Sequence, residues 1–77
     1  MVQALWDVVC DEAARAQGKY GDFASMHEAY GVLAEEVSEL FDEIRRKARE
    51  PKEIRAEAIQ VAAVALRIAD QALRVTR

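Results

Sequence analysis

The sequence predicts an all-α fold of three helices, and three observations carry that expectation. Apolar residues make up 52% of the chain, with alanine, glutamate, arginine and valine in long runs and only one proline and three glycines; such a composition favours helix over sheet. Apolar positions return at spacings of three and four rather than two. No Asn-Gly or comparable pair stands between alternating segments, so no hairpin of strands is signalled.

The first helix is expected over about residues 3–17, where Leu5, Val9, Ala13 and Ala16 form a stripe with Trp6 and Cys10 at its edge. The segment QGKYGDFAS, with Gly18 and Gly21, should then break it. Ser25 followed by Glu28 fits a capping box, in which hydroxyl and carboxylate satisfy backbone donors left open in the first turn. A second helix therefore starts there, with His27 structural in its first turn. It should stop near Arg49, Glu50 and Pro51, because proline cannot continue a helix but suits the first position of the next. The third helix runs to about residue 75. So short a link makes an antiparallel hairpin, turning near residue 50, in which facing residue numbers sum to about 99 to 101.

At about 100° per residue, Ala29, Leu33, Val37, Leu40, Phe41 and Ile44 fall on an apolar arc about 120° wide. The third helix has a wider arc, from Val61, Val64 and Ile68 through Ala58, Ala65 and Ala69 to Ile59, Leu66 and Leu73. One neighbouring helix cannot cover it, so self-association is expected, completing four-helix bundles in a homodimer or homotetramer. Size points the same way: 77 residues make one small domain, 1–77, of modest stability. The single cysteine, Cys10, permits no intrachain disulfide and reads as a small core residue, which leaves association or a metal as the staple.

A net charge of −3, with basic residues scattered or paired with acids, argues against a nucleic-acid partner. The longest uncharged run near the C-terminus, AIQVAAVAL, is about half of the ~18 residues a membrane span needs, and no segment resembles a signal peptide. A soluble, cytoplasmic protein without a membrane partner is the expectation.

Within HEAYGVLAEEVSELFDEIRRK, five acids crowd between Glu35 and Glu43. Asp42 and Glu43 have Arg46 and Lys47 four residues on and read as paired surface. Glu35, Glu36 and Glu39 have no base three or four residues away. Each like-charge pair at that spacing costs about 0.2–0.5 kcal/mol, and Glu36 borders the apolar arc, where desolvation adds to the cost. On the third helix Glu57 and Gln60 border the buried face as well. At ~1.5 Å rise per residue, Glu36, Glu39, Glu57 and Gln60 fall within about 10 Å along the bundle. Three carboxylates and an amide, without cysteine or histidine, suit a hard divalent cation, Mg²⁺ or Mn²⁺, rather than zinc.

The run Glu35-Glu36-Val37-Ser38-Glu39 resembles the EExxE element of the MazG-like all-α nucleoside triphosphate pyrophosphohydrolases, and HEAYGVLAEEVSELFDEI is similar to their second helix. That family continues with ExxD on the next helix, where this chain has Glu57-Ala58-Ile59-Gln60 after 17 intervening residues. The resemblance extends from RAQGKYG through QVAAVALRIAD. It implies Mg²⁺-dependent cleavage between the α and β phosphorus atoms of a nucleoside triphosphate, giving monophosphate and pyrophosphate in nucleotide-pool house-cleaning. It also implies a site built between helices of an oligomer, with metal held at Glu36, Glu39 and Glu57 and Gln60 in the aspartate's place. A carboxylate, Glu39 or Glu35, would take the proton of an attacking water. Gln60 offers a carbonyl without charge, so the cation should be held less tightly. The alternative is a non-catalytic helical oligomer whose acids are a degenerate remnant or pair with bases across an interface.

Lys19 and Arg15, beside the first connection, and Arg67 on the third helix are the candidates for triphosphate contact. Arg74 and Arg77 should oppose the helix dipole. Trp6 and Tyr30 are expected in the core, whereas Tyr20 and Phe23 have less explanation from packing.

Overall fold

The structure, a computed structural model, describes residues 2–48 and 50–75. They form three helices: α1, Val2–Tyr20; α2, Met26–Ile44; and α3, Pro51–Val75. The described residues contain no strand, and none of the helices is long and apolar enough to cross a membrane.

α1 runs through Gly18, where a break was expected, and stops at Gly21. A helical glycine costs only about 1 kcal/mol and does not by itself end a helix, whereas a left-handed residue after the last turn does. Gly21 supplies it with φ 72°, its N–H bonding the Gln17 carbonyl at 2.9 Å. The expected cap of α2 is present: Ser25 Oγ accepts from the Glu28 N–H at 3.0 Å. Glu28 Oε1 answers by accepting from the Ala24 N–H, one residue before the cap, at 3.1 Å. α2 ends at Ile44, with the Arg45 N–H on the Phe41 carbonyl. Pro51 opens α3 as expected, and the Glu50 carbonyl takes the N–H groups of Glu53 and Ile54. Arg49, named in the expected break, lies outside the described residues.

α3 is the central element. It packs on both α1 and α2, which do not pack on each other. On the α1 side, Val9 and Ala13 meet Ala63, with Ile59 and Leu66 alongside. On the α2 side, Phe23, Ala29 and Val64 form a second cluster with Leu33 and Ile68. Alanine lets the axes approach: Ala29 and Ala63 are almost wholly excluded from water. α2 and α3 are antiparallel, as expected. α1 runs parallel to α3, since Val9 and Ala13 meet Ala63 while Gln17 further on meets Arg67.

The hairpin register differs from expectation by about one helical turn. The link occupies residues 45–50, so the chain reverses before residue 50, and Glu39 faces Glu57 rather than Gln60. The early stop also shifts the ion pairs. Asp42 bonds Arg45 at 3.0 Å and Glu43 bonds Arg46 at 3.2 Å, each three residues on rather than four, where the chain leaves the helix.

Two aromatic expectations fail. Trp6 and Tyr30 are exposed, on sides of α1 and α2 that α3 does not cover. Phe23 is instead core, 8% exposed, because Gly21 turns the connection back across α3. Val37, Phe41 and Ile44, at the apolar arc of α2, also remain open to solvent in the single chain.

Candidate metal centre

Glu36 and Glu39 stand one turn apart on α2, and Glu57 faces them from α3. Each offers a carboxylate oxygen within 4.8 Å of the others. Glu39 is exposed, while Glu36 and Glu57 are half-buried at the helix seam. One oxygen of each of those two, Oε2, is shut off from solvent and has no hydrogen-bond partner. A buried acceptor left in that state is costly.

The electrostatics follow from this arrangement. Burial first, then the charges of Glu39, Glu57 and Glu35, raises the Glu36 pKa above its ordinary value. Burial and then Glu39, with smaller shares from Glu43 and Glu53, raises Glu57 in the same way. Three carboxylates this close repel one another when ionised, and a counter-charge would relieve that cost. All three residues offer oxygen, and two of them carry a buried, unpaired oxygen, a set whose chemistry and charge fit a hard divalent cation. Glu35 lies outside the trio, exposed on the outer side of α2, and acts on Glu36 through its charge.

Beside the trio lies a groove of about 390 Å³ with α3 as its floor. Glu12 and Arg15 of α1 form one wall, Val32 and Glu36 of α2 the other, and Gln60 and Arg67 lie in the floor. Residues 20–23 close one end. Gln60 thus shares the groove with Glu36 while its amide acts on Glu12. The pKa of Glu12 is lowered, mainly by the Arg15 guanidinium, with a smaller part from Gln60. Arg15 donates twice to Glu12, Nε to Oε1 at 3.0 Å and Nη2 to Oε2 at 2.6 Å.

Arg67 lines the groove but is buried and largely committed. Its Nη2 donates to the Gly21 carbonyl at 3.0 Å, its Nε to Gln17 Oε1 at 3.2 Å, and its guanidinium lies 4.5 Å from the Phe23 ring centre. Lys19 is not among the groove residues; its ammonium sits over the Tyr20 ring. Two further α3 residues hold the connection. The Gln71 amide pairs with both backbone groups of Phe23, accepting from N–H at 2.9 Å and donating to C=O at 3.0 Å. Arg74 donates to both Asp22 oxygens at 2.9 and 2.8 Å and to Asp70 at 3.1 Å. Arg74, with help from Gln17, pulls the Asp22 pKa down to about 2. Arg74 therefore does more than oppose the helix dipole, and Arg77 lies outside the described residues.

Glu12 escaped the sequence reading because Arg15, three residues on, makes it look like paired surface. A signal existed: Glu12 follows Val9 by three and precedes Ala16 by four, which puts it at the edge of the buried stripe, as Glu36 is on α2. The chain matches no family model, no curated protein and no solved structure.

Proposed function

We propose that the protein is a Mg²⁺-dependent nucleoside triphosphate pyrophosphohydrolase of the MazG-like type, converting NTP or dNTP and water to monophosphate and pyrophosphate. The observation that carries this reading is the Glu36, Glu39 and Glu57 trio with its two buried, unpaired oxygens, set beside a groove that also holds Arg15. The likeness of EEVSE to the family's element and the spacing to Glu57 support the same reaction. Small-molecule sites span about 300–1,000 Å³, and the groove lies within that range.

Glu36, Glu39 and Glu57 would hold the cation, Mg²⁺ or Mn²⁺, with the Gln60 carbonyl toward it from the floor. When bound, the cation supplies neutralisation of triphosphate charge and a water of lowered pKa. The chain's own groups do the rest. Arg15 meets phosphate oxygens from the α1 wall, and Arg67 keeps the closing loop in place. Glu39, exposed, or Glu35 behind it accepts the water's proton.

The active species is a homo-oligomer, a dimer or tetramer, in which a second copy covers Val37, Phe41 and Ile44 and completes a four-helix bundle. Its substrate pool puts the activity in the cytoplasm. A second reading, a non-catalytic helical oligomer, draws on the neutral Gln60 at the family's aspartate position.

The deciding assay incubates the protein with Mg²⁺ or Mn²⁺ and a panel of NTPs and dNTPs and measures pyrophosphate. Metal-dependent release is expected, reduced at least about tenfold by Glu36→Gln and by Glu39→Gln. No release from any nucleotide, or release indifferent to both substitutions, would leave the non-catalytic reading standing.

A further inference from the structure

The groove contains two guanidinium groups, and they differ in what holds them. Arg67 is buried, with donors on the Gly21 carbonyl and Gln17. Arg15 is tied only to Glu12, its neighbour one turn back, and its side chain is 57% exposed against 18% for Glu12. The carboxylate is thus fixed in the groove wall while the guanidinium can swing off it.

We propose that Glu12 and Arg15 form an exchangeable pair: a nucleoside polyphosphate draws Arg15 away, and Glu12, no longer neutralised, keeps Gln60 as its remaining partner and strengthens the cation site. Guanidinium to phosphate is bidentate and charge-assisted, as the bond to Glu12 is, but a polyphosphate brings several negative charges against the single one of Glu12, so polyphosphate wins the exchange. Once Arg15 has left, the polar group facing Glu12 from the floor is the Gln60 amide. An amide whose N–H₂ is taken by a carboxylate presents its carbonyl oxygen on the other side, here within the groove shared with Glu36. Glu12 is therefore a positioning residue: it fixes which end of Gln60 meets the cation and places a negative charge behind it. This arrangement supplies from α1 the charge that position 60 lacks. By linkage, polyphosphate and cation each tighten the other's binding through this pair.

The inference rests on the cation reading proposed above, and Mn²⁺ titration without nucleotide separates the two. Wild type, Arg15→Gln, Glu12→Gln and the double variant are compared by calorimetry or by the electron-spin signal of unbound Mn²⁺, with helicity checked by circular dichroism. Arg15→Gln should bind Mn²⁺ about fivefold tighter or better, and Glu12→Gln should bind it more weakly and cancel that gain in the double variant. Inorganic tripolyphosphate, without metal, should bind Arg15→Gln at least about fivefold more weakly than wild type. If Arg15→Gln leaves Mn²⁺ affinity unchanged, or tightens it equally in the Glu12→Gln background, mere charge removal explains the effect and the exchange is refuted. If wild type binds no Mn²⁺, or Glu36→Gln binds it as well as wild type, the cation reading falls and the exchange falls with it.

Discussion

Glu36→Gln should make the metal-free protein more stable. Glu36 has Glu39 and Glu57 within 4.8 Å. Two unit charges at that separation repel by about 0.9 kcal/mol in water and about 3.5 kcal/mol at an effective dielectric near 20. Glu39 is exposed, and screening by solvent and salt takes the net relief from removing the Glu36 charge down to about 1–2 kcal/mol. For a chain of this length that is a rise in Tm of about 4–16 °C. The glutamine also brings a donor to a place where two carboxylate oxygens have none. A bound cation reverses the order, because a ligand at 100 times its Kd stabilises the native state by about 2.7 kcal/mol and the variant lacks a ligand. Thermal melts followed by circular dichroism, at one protein concentration, should show Glu36→Gln above wild type in EDTA and at or below it in saturating Mg²⁺. A variant that melts below wild type in EDTA, or a wild type whose Tm ignores Mg²⁺, would refute the reasoning.

Other outcomes follow from the same structure. In EDTA, Glu36 and Glu57 hold protons more tightly folded than unfolded, so their contribution is full below about pH 4.5 and is lost as pH rises through their raised pKa values. Asp22 has the opposite sign: its contribution is present above its ordinary value of 3.8 and is lost as pH falls through about 2. Urea midpoints against pH should therefore peak in mild acid, and Mg²⁺ should remove the decline on the alkaline side. Gln71→Ala leaves the Phe23 N–H and C=O buried without partners and should cost about 2–4 kcal/mol in urea unfolding. A cost no larger than that of replacing an exposed residue of α3 would show that the amide pairing contributes little.

The helices were legible because capping and periodicity are local. Ser25, Glu28 and Pro51 stand where their chemistry places them. Gly18 misled because a glycine's entropic cost does not by itself stop a helix; the left-handed φ at Gly21 does. The carboxylate trio was half legible. Glu36 and Glu39 announced themselves by lacking local bases, and Glu57 by bordering the apolar arc. Pairing Gln60 with Glu39 required the hairpin register, which depends on where α2 ends, and helix ends are the least certain thing a periodic pattern conveys. The roles of Arg67, Gln71 and Arg74 were not legible. Their partners lie about 50 positions back along the chain, in a loop whose path only the folded structure supplies.

The Gln71 amide reads the two backbone groups of Phe23 as a neighbouring strand would, and Arg67 and Arg74 grip the two residues before it, Gly21 and Asp22. The end wall of the groove is thus held by the last helix in chain order. During synthesis α1 and α2 can coil as soon as they emerge, but the space between them acquires a floor and a closed end only when α3 has docked. Before α3 docks there is no such groove, so its walls and its floor come together in one step.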